Sequence, residues 1–157
     1  MLTKYLWIFF ISMVPIVELR VAIPVSQAFN PPLPLLTSYI VCIIGNMLPV
    51  PVIFLFARRF LEWGQDKKFI GGICRFFLEK GHKGGAKLTE KAGKGGLFIA
   101  LMLFVGIPLP GTGAWTGTLA ASILDIDFKS TVAAVVLGVL IAGIIMMCIS
   151  FGIFSFI

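Results

Sequence analysis

A chain of 157 residues is long enough for one bundle and too short for several domains. Apolar residues make up 59% of it and charged residues only 13%, against about 25% charged in a soluble domain, which excludes an ordinary soluble fold and points to an all-α integral membrane protein. Residues 57–96 hold ten Lys or Arg and four acids, so this segment alone matches the chain's net +6, and anionic headgroups are nearer partners for it than nucleic acid.

Residues 5–17 are apolar but short: a helix of that length rises only about 20 Å, against a hydrocarbon core of roughly 30 Å. Continuing to residue 28 would span, but only by carrying Glu18 and Arg20 through the membrane. Those two charges also precede any signal-peptidase site and argue against a cleaved leader. Their polar interruption, Pro15-Ile-Val-Glu-Leu-Arg-Val-Ala-Ile-Pro24, is read as a break in the helix. Asn30, Pro31, Pro32 and Pro34 then stop any helix. Residues 35–57 are long enough to cross, with Pro49 and Pro51 as kinks, and Asn46 lies inside this apolar run.

Residues 58–79 repeat Phe69, Ile73, Phe76 and Phe77 at helical spacing, with Lys67, Lys68 and Arg75 on the polar side. That pattern predicts an interfacial amphipathic helix. Residues 81–96 are rich in Gly and Lys and are expected to form a flexible connector. His82 in that stretch is expected to be a solvated surface residue. The stretch lacks the glycine and Ser/Thr positions of a phosphate-binding loop. A basic loop between membrane segments is expected on the cytoplasmic side.

Residues 97–105 are again too short to span, and Gly106-Ile-Pro-Leu-Pro-Gly-Thr-Gly-Ala-Trp115 interrupts them. Residues 114–124 form a second short apolar piece, with Asp125 and Asp127 expected to end it at the interface. Residues 129–157 are the longest clean membrane candidate. Ala134, Gly138 and Ala142 fall at spacing four, a small-residue stripe suited to close packing. Cys42, Cys74 and Cys148 are isolated, so neither a disulfide framework nor a metal site is expected. No nucleophile–base set is visible, so an enzyme is the poorest reading, and no cofactor is expected.

The halves at 1–57 and 97–157 therefore share an order around the segment 58–96: short apolar piece, polar break, short apolar piece, full crossing. The expected architecture is an inverted repeat of a re-entrant hairpin plus a transmembrane helix. The alternative is a plain four-helix transmembrane bundle. The hairpin reading is favoured because non-helical backbone at membrane depth needs an enclosed setting. Broken segments at matching places in two halves also point to a transport site.

Glu18 and Arg20 are the sharpest candidates, because intramembrane charges are costly and usually face a cavity. Arg20 matches a phosphate or carboxylate with its planar fork. Glu18 would pair with it or exchange a proton. In the second break, Pro108, Pro110, Gly111, Thr112 and Gly113 permit close backbone approach, and Thr112 is placed to cap the following half-helix. That helix end would offer N–H groups and a positive dipole to an anion. Pro24 and Asn46 complete the candidate set.

The chain resembles the small multidrug export family over nearly its whole length. The resemblance rests on Pro15-x-x-Glu-Leu-Arg-x-Ala-Ile-Pro24, on Gly106-x-Pro-x-Pro-Gly-Thr-Gly-Ala-Trp115 and on the basic Lys/Gly middle. It implies export of drugs. The architecture is also similar to the DedA group of membrane proteins, which implies lipid translocation, undecaprenyl phosphate recycling included, with proton or ion coupling. The chain departs from that group, since it has no arginine in its second break. Its coupling and substrate therefore do not carry over.

The expected function is a transporter or flippase for an amphiphilic or anionic substrate such as a lipid phosphate or drug, in a bacterial or archaeal cell membrane. The other class is a membrane scaffold or accessory subunit, using the Ala134/Gly138/Ala142 stripe and the basic segment as partner and lipid contacts. Membrane lipids are expected partners. Two full crossings are few for enclosing a site, so a homodimer is also an expected assembly.

Overall fold

Helix α1 (Leu2–Met13) stops where Pro15 begins to act, because the residue before a proline is driven out of the helical region. Val14 is accordingly extended. The chain reverses over residues 14–17, with Ile16 at φ 73°. Helix α2 (Glu18–Ala28) follows, its first residue still at φ 51°. This first break is therefore shorter than the expected Pro15–Pro24. Pro24 lies inside α2, where it removes only one ladder hydrogen bond. Lys4 Nζ donates to the carbonyls of Asn30 and Pro31, both at 2.9 Å, so the start of α1 and the end of α2 lie together.

The computed structural model describes residues 1–109 and 111–155. Among these the remaining helices are α3 (Leu35–Met47), α4 (Pro49–Gly64), α5 (Gly71–Gly106), α6 (Ala114–Ile123) and α7 (Phe128–Ser155), and there is no strand. Helices α3 and α4 run on through Leu48. Pro49 takes the first position of α4, where a missing N–H costs little. Together they form a run, Leu35–Gly64, of 30 residues that contains an 18-residue apolar stretch of mean hydropathy 2.4. Phe128–Ile153, of 26 residues, is the other run long and apolar enough to cross a bilayer, with an 18-residue stretch of mean hydropathy 3.0. By contrast α1, α2 and α6 each rise less than about 20 Å.

The middle of the chain differs from expectation. The amphipathic helix expected over 58–79 is divided: residues 58–64 finish α4, the chain turns over 65–70, and α5 begins at Gly71. Gly64 closes that turn against Cys74, and Arg75 Nε donates to the Gln65 carbonyl at 3.0 Å. Interfacial aromatics survive this division. Phe69, Phe76 and Phe77 are exposed, and Lys67 Nζ lies 4.5 Å from the Trp63 ring centre.

Residues 81–96 are helical rather than an irregular connector, except at Gly93 (φ 67°), where α5 is kinked between two helical pieces. Packing explains the glycines. A side chain at Gly81 would strike the Ile123 carbonyl, and one at Gly85 the Leu124 carbonyl. One turn apart, they let α5 approach the end of α6.

Asp125, at φ 63°, and Ile126 lead into α7. Asp127 opens α7 rather than ending α6: its Oδ2 accepts the Ser130 N–H at 2.9 Å. That bond holds the Asp127 carboxyl below its ordinary value. The stripe Ala134, Gly138 and Ala142 is buried within the chain, with Gly138 against the Met102 carbonyl and Val105 of α5. It is thus not available as the partner surface that the scaffold reading required. Ile8, Leu19, Ile23, Val50, Val105, Val135 and Val139 form the centre of the core.

Candidate functional site

The two breaks meet. Glu18 is only 3% exposed, and its Oε1 accepts the backbone N–H of Trp115 at 3.1 Å. Trp115 is the second residue of α6, so the carboxylate sits on the N–H groups that a helix start leaves unpaired. No side chain of its own segment caps α6. The expected cap, Thr112, faces the other way: its Oγ1 lies 2.8 Å from the Ile107 carbonyl and 2.9 Å from that of Leu109. Gly113 at φ 146° brings the α6 start against Glu18, and a side chain there would overlap the carboxylate.

Arg20 serves the opposite end of the same break. Its guanidinium donates to the carbonyls of Leu109 at 2.8 Å, Val105 at 3.2 Å and Ile107 at 3.3 Å, and to that of Thr112. It also donates to Thr112 Oγ1 at 3.0 Å. Val105 and Ile107 belong to the C-terminus of α5, where orphan carbonyls and a negative dipole end favour a cation. The acid and the arginine therefore address different helix ends. Among the described residues the ion pairs are Arg58–Glu62, Arg58–Asp125 and His82–Asp125, and Glu18 with Arg20 is not one of them. At spacing two on a helix start, their side chains diverge.

Asn46 of α3 lies beside the Glu18 carboxylate. It is 1% exposed, and beyond this neighbour its amide has no hydrogen-bond partner among the described residues. Thr118 Oγ1, one turn into α6, is likewise buried and unpartnered. Buried polar atoms are costly to leave without partners. Pro108 lies half-buried between two carbonyls that Arg20 holds, and Gly111 (φ 85°) forms the exposed corner of the turn. Pro110 lies outside the described residues. Pro24 is further along α2 and makes none of these hydrogen bonds.

Trp115 also belongs to the site, beyond the residues expected from the sequence. Its backbone N–H holds Glu18, and its indole Nε1 donates to the Met13 carbonyl at the end of α1, at 3.1 Å. A buried indole N–H needs such a partner, which is the signal available in sequence. A second cluster joins the far ends of the elements. Asp125 lies 2.6 Å from Arg58 and 2.9 Å from His82 Nδ1. His82 is thus engaged rather than simply solvated. Among the described residues no group of His, Cys, Asp or Glu is arranged to hold a metal.

A family model described as "Putative small multi-drug export protein" matches residues 18–145, and the chain belongs to that family. Membership and the two apolar runs make it a membrane protein. Neither the curated proteins nor the solved structures return a match.

Proposed function

We propose that this export-family protein is a transporter or flippase for an amphiphilic substrate with a negative group, and that the substrate is held where the two breaks meet. The observation that carries the reading is the Glu18 carboxylate on the α6 N-terminus. A helix N-terminus favours an anion, and here the protein's own carboxylate takes that place. A phosphate or carboxylate of the substrate would take the same place once Glu18 is protonated and withdraws. Asn46, beside that carboxylate and without another partner among the described residues, would receive either the neutral Glu18 or the incoming group. Arg20 would keep the second break assembled and supply positive potential. Proton movement and substrate movement would then be coupled by competition for one helix end.

The topology that suits this mechanism is the inverted pair of re-entrant hairpins, α1–α2 and the end of α5 with α6. Two contacts support it. Lys4 reaches the carbonyls of Asn30 and Pro31, as expected of a hairpin whose two ends share one side. Asp125 meets Arg58 and His82, as expected where the end of α6 shares one side with the basic segment. Access would alternate by one half rocking against the other.

The test is uptake or flipping in proteoliposomes, with lipid phosphates and amphiphilic drugs as substrates. Transport by the parent protein, loss in Arg20→Leu, and loss of pH dependence in Glu18→Gln are the expected results. A reconstituted parent protein that moves none of these substrates would sink the proposal.

A further inference from the structure

A groove of about 400 Å³ runs along the outside of the bundle between α4 and α6. Ile53, Phe56, Phe60, Phe77, Trp115 and Leu119 line it, with no polar side chain among them except the indole edge. One end is Trp115, at the depth of the two breaks. The other end is Phe60 and Phe77, within the basic middle of the chain. Across Phe56 and Phe60 the groove adjoins a second hollow of about 330 Å³ that contains Arg59 and Trp63. Lys67 sits over that same Trp63 ring.

The neighbouring arginines differ in a telling way. Arg58 is engaged by Glu62 and Asp125. Arg59 is exposed and, among the described residues, has no carboxylate partner. A dry, aromatic slot with cations only at its mouth matches one kind of molecule: an apolar chain with an anionic head. Slots of this size and lining hold ligands in general, and basic groups at a membrane surface attract anionic lipids.

We propose that this groove binds one anionic phospholipid from the leaflet facing the basic segment. Its acyl chain lies along α4 and α6 as far as Trp115, and its phosphate rests on Arg59 and Lys67. A zwitterionic lipid offers the same chain but no net charge, so the mouth selects between them. The site does not depend on transport: the lipid is held whether or not the protein moves a substrate.

Trp115 is itself the reporter. With Trp7→Phe and Trp63→Phe, the second keeping an aromatic ring beneath Lys67, it becomes the sole tryptophan of the full chain. The protein is placed in phosphatidylcholine nanodiscs doped with a lipid brominated on its acyl chain, as either phosphatidylglycerol or phosphatidylcholine. The expected result is several-fold stronger quenching of Trp115 by the brominated phosphatidylglycerol at equal content. Arg59→Gln with Lys67→Gln, both exposed and so harmless to folding, should remove the preference while leaving chain contact. Ala57→Phe, which fills the groove, should lower quenching by both lipids. Equal quenching by the two lipids in the parent would overturn the proposal, as would a preference that survives loss of both cations.

Discussion

The Glu18 carboxylate and the Trp115 backbone N–H are hydrogen-bonded at 3.1 Å across 97 positions of sequence. One bond thus ties the start of α2 to the start of α6. Two residues on, Arg20 ties α2 to the end of α5. A single short stretch of the first half therefore supplies both charges that the second break needs. The negative one goes to a helix start and the positive one to a helix end, as the helix dipole favours.

Arg20→Lys should be poorly tolerated. An ammonium is a point charge and cannot reproduce a planar fork spread over several carbonyls. Val105 is buried, so its freed carbonyl costs about 1–3 kcal/mol, whereas Ile107 and Leu109 are exposed and their carbonyls can turn to solvent. The expected result is a clear fall in melting temperature in detergent, with Trp115 becoming more accessible to an aqueous quencher. A lysine variant that melts with the parent protein would show that the guanidinium contacts contribute little.

Gly113→Ala tests the approach of Glu18 to α6. The residue sits at φ 146°, and a methyl group there meets the carboxylate. Backbone in that region costs a non-glycine residue about 1–3 kcal/mol. Destabilisation of that order is expected, with transport lost even where the folded protein is recovered. Gly111→Ala, with nothing within 4 Å, carries the backbone cost alone and should be the milder change.

Two glycines of α5 separate packing from flexibility. Gly85 faces the Leu124 carbonyl, whereas Gly95 has nothing within 4 Å. Gly85→Ala should destabilise by about 1–3 kcal/mol, as overpacking does. Gly95→Ala should stabilise by about 0.5–1 kcal/mol through the helix. Thermal unfolding of the two variants side by side reads the difference. Equal effects would mean that the stretch is a linker after all.

Asp127→Ala removes the carboxylate that caps α7 and should cost about 1 kcal/mol. The parent carboxyl is held below its ordinary value by the Ser130 N–H. Its contribution is therefore complete above the ordinary carboxylate range and is lost as pH falls through the lowered value. Parent and variant should differ at neutral pH and converge in strong acid.

A cysteine at position 127, in a background without Cys42, Cys74 and Cys148, decides the topology. Position 127 is exposed and close to Asp125, which meets the basic segment. Labelling by an impermeant thiol reagent from the cytoplasmic side is expected. Labelling only from outside would overturn the hairpins and the transport site built on them.

Much was legible in the residues themselves. Apolar runs of 35–57 and 129–157 announce long helices, since they match a bilayer's thickness. Glu18 and Arg20 stand out because charge amid apolar sequence is costly. The Pro and Gly of residues 106–113 mark a break because they stop helices locally. The family match over residues 18–145 takes in both charges and this break.

Other features leave no such mark. The glycines at 81 and 85 read as flexibility, because a close helix contact and a loose linker call for the same residue. His82 and Asp125 are far apart in the chain, and nothing near either reveals the other. Thr112 had the residue type of a cap, yet the cap came from Glu18, because the second break closes onto Arg20 instead. Composition and spacing determined where helices can run and where they must stop, since those depend on each residue and its near neighbours. Which helix end each charge satisfies was decided only in the folded bundle, because a hydrogen bond depends on positions in space to within a few tenths of an ångström.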